Sequence, residues 1–400
     1  PARGEHMARE ISNGSGAYWG VGRLPPRVLG DVRGTAPGPS VVVVGGMNGN
    51  EPAGVLAATR VAAELEALQP VLRGRAVFLA GNRQALAVGL RFIRRDLNRL
   101  WSPLQLERLK GLRERDLGDE EQEQVELART LREIERAQHG PLTLIDLHTT
   151  SAPSAPSVCF GDTLANRRLA LALPTTAILG LEEVIEGALI GYCTDRGHVG
   201  ISIESGQHRD PEAVERHVAA IWLLLVAARC LPAAAVPELR QHRERLARAS
   251  AGRPRVVEVR YRHAVTPGDG FELLPGFESF ATIAAGQVLG RHREGTLQAP
   301  EAGLMLMPRY QAQGDDGYFL VREVRPVWLK LSAWLRRSGA PRVLPYLPGV
   351  ERDKAAPGQL VIDPRVAFAH VADVMHLCGY RRRRSPEARP VFTRRGTQRV

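Results

Sequence analysis

Glu51, His148, Glu204 and the run from Arg91 to Arg99 hold the residue types that could do chemistry, and each closes or follows an apolar stretch. Glu51 lies in Gly45-Gly46-Met47-Asn48-Gly49-Asn50-Glu51-Pro52-Ala53-Gly54, where glycines let the backbone turn and present a carboxylate just ahead of a proline suited to a first helical turn. Glu204 ends Val199-Gly200-Ile201-Ser202-Ile203. A partly desolvated carboxyl there would have a raised pKa and move protons, whereas an exposed one would cap a helix or pair with a cation. His148 ends Leu144-Ile145-Asp146-Leu147 and reads either as a ligand or as a structural hydrogen-bonding group. Arg91-Phe92-Ile93-Arg94-Arg95-Asp96-Leu97-Asn98-Arg99 gathers forked cations and an amide. Guanidinium groups hold carboxylates bidentately, so an anionic substrate is the functional reading, while Arg94 and Arg95 read better as surface ion-pair partners. Singly, each group has a structural alternative; their shared placement at the ends of apolar runs makes them a candidate site.

These groups act together only if the fold gathers the strand ends. Val41–Val44, closed by Gly45 and Gly46, reads as a buried central strand, and Val55, Leu56, Val61, Ala62 and Leu65 repeat at helical spacing after Pro52. Similar units follow, with strands at 76–79, 142–147 and 199–203, a charged helix at 120–138 and a helix beginning near Asp210. The expected fold class is α/β, a mostly parallel mixed sheet with helices on both faces, with catalytic groups at the carboxyl ends of the strands. Composition shifts near Leu231, where Pro232, Ala233–Ala235 and Pro237 precede an arginine-rich helix. Beyond it, alternation at 255–262 and glycines at 268, 270, 276, 286, 290, 295 and 303 predict a smaller C-terminal β domain. The expected division is 1–235 for the catalytic domain, 236–325 for the β domain with its linker helix, and 326–400 for a C-terminal extension. In that extension a helix is predicted at 328–337, loop to about Pro364, a helix at 366–377 and a mobile Arg-rich tail.

Composition bounds the partners. The 400 residues are 44% hydrophobic, enough for a sizeable core, with no run near the roughly 18 apolar residues of a membrane helix. Pro1–Gly16 has no apolar signal core, so a cytoplasmic location is expected. Cys159, Cys193, Cys230 and Cys378 are too scattered for a disulfide framework or zinc ribbon and read as buried thiols. The formal charge of +11 collects near the end, in Arg381–Arg384, Arg389, Arg394, Arg395 and Arg399, so nucleic-acid binding is not expected. No membrane partner is expected, and a homodimer is left open.

The four motifs together resemble those of the succinylglutamate desuccinylase and aspartoacylase family, a branch of the zinc carboxypeptidase-like fold. Met307-Pro308-Arg309 and Gly314-Asp315-Asp316-Gly317-Tyr318-Phe319 extend the resemblance to the β domain of less characterised bacterial members. The resemblance implies a zinc-dependent hydrolase of an N-acyl amino acid or related small-molecule or peptide carboxylate. Glu51 and His148 would be metal ligands, Glu204 would move the proton, and Arg91 would stabilise the oxyanion. Asn98 and Arg99, with Tyr192 and Arg196, would bind substrate. One position departs: Asn48 stands where the family has a histidine ligand, and a carboxamide oxygen is a weak zinc donor. No neighbouring histidine replaces it by sequence, since His139 and His198 belong to other segments. His198, His208 and His217 are expected to face solvent, and His370 and His376 to be structural. The resemblance thus allows a metal-dependent hydrolase with a weakened site, or a catalytically inactive protein binding an acidic metabolite or peptide.

Overall fold

The computed structural model describes residues 23–68, 71–138, 140–353, 356, 358–367, 370–383 and 390–395. Successive residues of the Val41–Val44 run face opposite helical layers. Val41 and Val43 pack with Ala57 and Val61 of the helix Pro52–Glu66 and with Ile221 and Trp222 of the helix Glu212–Ala227. Val42 and Val44 pack with Leu127 and Leu131 of the helix Asp119–Arg136 and with Leu189 of the helix Leu189–Asp195. Burial on both faces is why this strand reads as continuously apolar rather than alternating.

The first eight strands are β1 (Val28–Arg33), β2 (Ala36–Gly45), β3 (Arg73–Ala80), β4 (Thr143–Thr150), β5 (Ser157–Phe160), β6 (Thr176–Leu179), β7 (Val199–Gln207) and β8 (Val256–Ala264). The next six are β9 (Glu272–Leu273), β10 (Thr282–Ile283), β11 (Val288–His292), β12 (Gly295–Gln298), β13 (Gly303–Leu306) and β14 (Asp316–Glu323). The main sheet runs β1-β3-β2-β4-β7-β5-β6-β8-β14-β13-β10, parallel through β3, β2, β4 and β7 and again through β5, β6 and β8. Helices therefore cover both faces of a mostly parallel sheet, with an antiparallel β region following in the chain. That region is not detached: β8 pairs with β6 through Ala177↔Val256, so hydrogen bonds cross the expected division near 235. A three-stranded sheet, β12-β11-β9, packs on this end through Leu273, Leu289 and Leu297.

The C-terminal stretch differs from its sequence reading. The segment expected as loop holds β15 (Val350–Arg352) and β16 (Gln359–Ile362), and the last helix begins at Val371 rather than 366. Where a mobile tail was expected, the described residues form β17 (Tyr380–Arg383) and β18 (Val391–Arg394), completing the sheet β15-β16-β18-β17. The cause is long-range pairing, which local composition does not reveal. Arg395 is buried against Glu182 at 2.9 Å and Glu183 at 2.6 Å, and Arg336 meets Asp162 at 2.6 Å beside the Asp162–Arg167 pair. Arg384, Arg389, Arg399 and the segment 1–16 lie outside the described residues. All four cysteines are buried and free, and no helix among the described residues is long and apolar enough to cross a membrane.

Candidate functional site

The turn after β2 sets the first group in place. Gly46 takes the left-handed region at φ 72°, and a Cβ on Gly45 would meet Gly54 backbone at 2.5 Å, so the helix Pro52–Glu66 seats directly against the strand. Glu51, the residue before that helix, is carried beneath the neighbouring strand end, where its Oε2 accepts from Thr149 N at 3.0 Å. His148 and Glu204 are register partners on adjacent parallel strands β4 and β7. Three segments remote in sequence thus meet at one edge, and with Asn48, Arg91, Asn98, Arg99 and Tyr192 they line one cavity of about 520 Å³. A cavity of that size suits a small-molecule ligand.

Charges in this cavity are mostly matched internally. His148 Nδ1 lies 3.0 Å from Glu51 Oε2, and its Nε2 lies 2.9 Å from Asp146 Oδ2 and 3.2 Å from Asn98 Nδ2. Burial opposes a charged imidazole, yet Asp146 and Glu51 outweigh it and hold the His148 pKa well above its ordinary value. Arg91 donates to Asp96 Oδ2 from Nε at 3.1 Å and Nη2 at 2.8 Å, with Nη1 3.5 Å from Glu51 Oε1. Burial would raise Asp96, but Arg91 and Arg99 hold its carboxyl far below the usual range. Glu204 is the exception: burial, with Glu51 and Asp146 adding to it, pushes its carboxyl up to about 8, and Oε2 is buried without a hydrogen-bond partner. Such a carboxyl is poised to hold a proton near neutrality and release it to a nearby base.

The anion-binding candidates divide. Asn98 is fixed by Leu189 N, which donates to its Oδ1 at 2.9 Å. Arg99 is taken: Nη2 donates to Asp316 Oδ2 at 2.6 Å and Nη1 to the Asn98 carbonyl at 3.0 Å, with Asp315 3.5 Å from Nε. Tyr192 lines the cavity, its ring 5.2 Å from that of Trp101. Arg196 does not join them; it pairs with Glu135 at 2.7 Å on a partly exposed surface and lies over the Tyr192 ring at 5.4 Å. Arg94 and Arg95 are surface partners of Asp119 and Glu121, as their sequence setting implied.

Several residues were missed. His208, expected to face solvent, lines the cavity, with Nδ1 2.7 Å from Thr149 Oγ1 and Nε2 3.1 Å from Gln311 Oε1. Its place just past the Glu204 strand was the available signal. His198 is buried against Glu135, and His217 is fully buried and pushed down by burial to about 3. Arg309, Gln311 and Asp316 reach the cavity from the β region, a contact that only the assembled sheet creates. His139 lies outside the described residues.

The donors do not make the three-donor set of a catalytic zinc centre. Asn48 turns its amide Nδ2 to Asp96 Oδ1 at 3.1 Å, and both ring nitrogens of His148 already face other groups. Among the described residues no three His, Cys, Asp or Glu side chains are grouped to hold a metal ion. Glu51 and His148 are two sound donors, and a carboxamide oxygen does not replace the third.

A profile described as the succinylglutamate desuccinylase/aspartoacylase catalytic domain matches residues 37–209. No curated protein matches the chain. The solved succinylglutamate desuccinylase/aspartoacylase from Rhodobacter sphaeroides superposes with a TM-score of 0.54 at 20% identity, over 74% of this chain and 88% of that one. The succinylglutamate desuccinylase of Vibrio parahaemolyticus gives 0.53 at 15% identity, over 83% and 89%. The product-bound ectoine utilization protein of Ruegeria pomeroyi gives 0.53 at 18%, over 73% and 87%. At these identities the superpositions establish the fold, and the profile match extends over the segment 37–209. Residues 37–209 of the chain thus match the catalytic domain of the succinylglutamate desuccinylase/aspartoacylase family, and the chain shares the fold of that family's solved members.

Proposed function

We propose that this chain binds a carboxylate-bearing N-acyl amino acid or related amide, a small molecule or a peptide end, in the cavity between β2, β4 and β7, and that Asn48 disables the zinc-dependent hydrolysis typical of the family. The observation carrying this reading is the pairing of Asn48 with Asp96 and of His148 with Glu51, which leaves two sound metal donors. The rest of the pocket suits recognition of an amide. Arg91, held rigid by Asp96, presents a fixed cation for a carbonyl oxygen, and Asn98 is oriented by Leu189. Tyr192 and Trp101 supply an apolar wall.

A second reading, a hydrolase retaining weakened metal dependence, is favoured by Glu204. A carboxyl raised to about 8 holds a proton it can give to a leaving amine, and its deprotonated fraction is a stronger base toward water than an ordinary carboxylate. Turnover of a panel of N-acyl amino acids, in zinc-supplemented buffer, by the natural chain and by Asn48→His separates the two. Binding without turnover in the natural chain, with hydrolysis appearing in the histidine variant, is the expected result. Steady hydrolysis by the natural chain that the substitution leaves unchanged would refute the disabled-site reading.

A further inference from the structure

Among the described residues Arg309 lines the cavity beside Arg91 without an ion-pair partner. Arg91 is paired with Asp96 and Arg99 with Asp316, so the arginines closest to the reacting edge already hold carboxylates. Arg309 makes no ion pair with any described residue. Its Nη1 donates to the Gly314 carbonyl at 2.6 Å, its plane lies over the Phe271 ring at 5.0 Å, and its Nε is buried with no hydrogen-bond partner. A half-buried guanidinium with no carboxylate in direct contact is costly, since the charge loses water without gaining an ion pair. Burial accordingly depresses its pKa, while Asp315 and Asp316 act on it only through space.

The backbone holds this side chain on purpose-built geometry. Met307 takes φ 48°, a left-handed conformation uncommon for a side chain of its size, and Arg309 N then donates to Gly317 O at 2.8 Å. The loop returns at Gly314, where a Cβ would sit 3.7 Å from Arg91 Nε and 3.8 Å from Arg309 Cδ. Arg309 and Arg91 therefore flank one point of the cavity wall. Arg91 is placed for the amide; the unpaired Arg309 beside it is placed for an anion on the same ligand.

We propose that Arg309 is the specificity-determining residue for the ligand carboxylate, and that Arg99 is withdrawn from that task by Asp316. This assignment rests on the acyl-amide pocket proposed above and adds where the anion is read. A ligand carboxylate would take the free edge of the Arg309 guanidinium by charge-assisted hydrogen bonds. Asp316, shared between Arg99 and Arg262, supplies the internal carboxylate that Arg99 would otherwise seek from a ligand.

Calorimetric titration with N-acetyl amino acids and with the same compounds as α-carboxamides tests this. The natural chain should prefer the carboxylate form, and Arg309→Gln should lower affinity for that form about tenfold to a hundredfold while leaving the carboxamide unchanged. Arg309→Lys, which keeps the charge, should retain part of the preference, and a melting curve within a few degrees of the natural chain's shows that each variant folds. If Arg309→Gln keeps the full preference and Arg99→Gln removes it, the assignment to Arg309 is overturned and the pocket reading stands. If the natural chain binds both forms equally or neither, the pocket reading falls and the assignment falls with it.

Discussion

Two of the buried charge clusters among the described residues are built to opposite ends. Where the C-terminal unit docks, Asp162 meets Arg167 and Arg336, and Arg395 meets Glu182 and Glu183, so every arginine there has a carboxylate. At the cavity, carboxylates crowd one another: Glu51, Asp146 and Glu204 surround His148, and Glu204 is left protonated near neutrality. The first cluster locks the closing sheet to the segments around the main sheet; the second keeps a group that can change charge. Their pH dependences must therefore run in opposite directions.

The largest expected effect breaks the lock. Asp162→Asn leaves Arg167, Arg336 and Arg395 without a shared carboxylate and should cost about 3 to 5 kcal/mol by chemical denaturation. Its arginines hold the Asp162 carboxyl, against burial, below the ordinary range. The stabilisation is therefore complete above the unfolded value of roughly 3.9 and is lost as pH falls through the folded value. A variant no less stable than the natural chain at pH 7 would show that the cluster is not what seats the C-terminal unit.

Glu204 gives the opposite slope. Its folded pKa of about 8 exceeds the unfolded value, so the folded state keeps a proton that the unfolded chain releases, and stability should decline as pH rises from about 5 to 8. Glu204→Gln should flatten that decline in a denaturation series across pH, and in an Asn48→His background should lower turnover about 10² to 10⁴ fold. An unchanged slope would remove Glu204 from the role of buried, protonated acid. Least affected should be Arg196→Ala, which removes one partly exposed pair with Glu135 and should cost no more than about 1 kcal/mol, with ligand affinity unchanged. A large loss of affinity in that variant would return Arg196 to the pocket.

How much of this was legible in the sequence follows from the range of the interactions. Strand-end chemistry was legible because it is local: an apolar run such as 199–203 followed by Glu204 announces both the strand and the group it presents. So was the sheet's two-sided burial, written in four successive valines. Contacts between distant segments were not. Arg395 looked like tail charge because its partners lie some 210 residues earlier, and Asp316 reaches Arg99 only once β14 has been added to the main sheet. Arg196 was misleading in the other direction. It sits four residues after Tyr192, a spacing that places both on one helical face, yet the helix ends at Asp195 and the guanidinium turns outward to Glu135.

In the reading proposed above, residue 48 alone separates recognition from hydrolysis, and the zinc bound per folded chain tests this most directly. After equilibration with zinc and removal of the free ion, elemental analysis should find close to one zinc per chain in Asn48→His and only a small fraction of that in the natural protein. Equal, near-stoichiometric zinc in both would contradict it, because the carboxamide at position 48 would then be no obstacle to the metal.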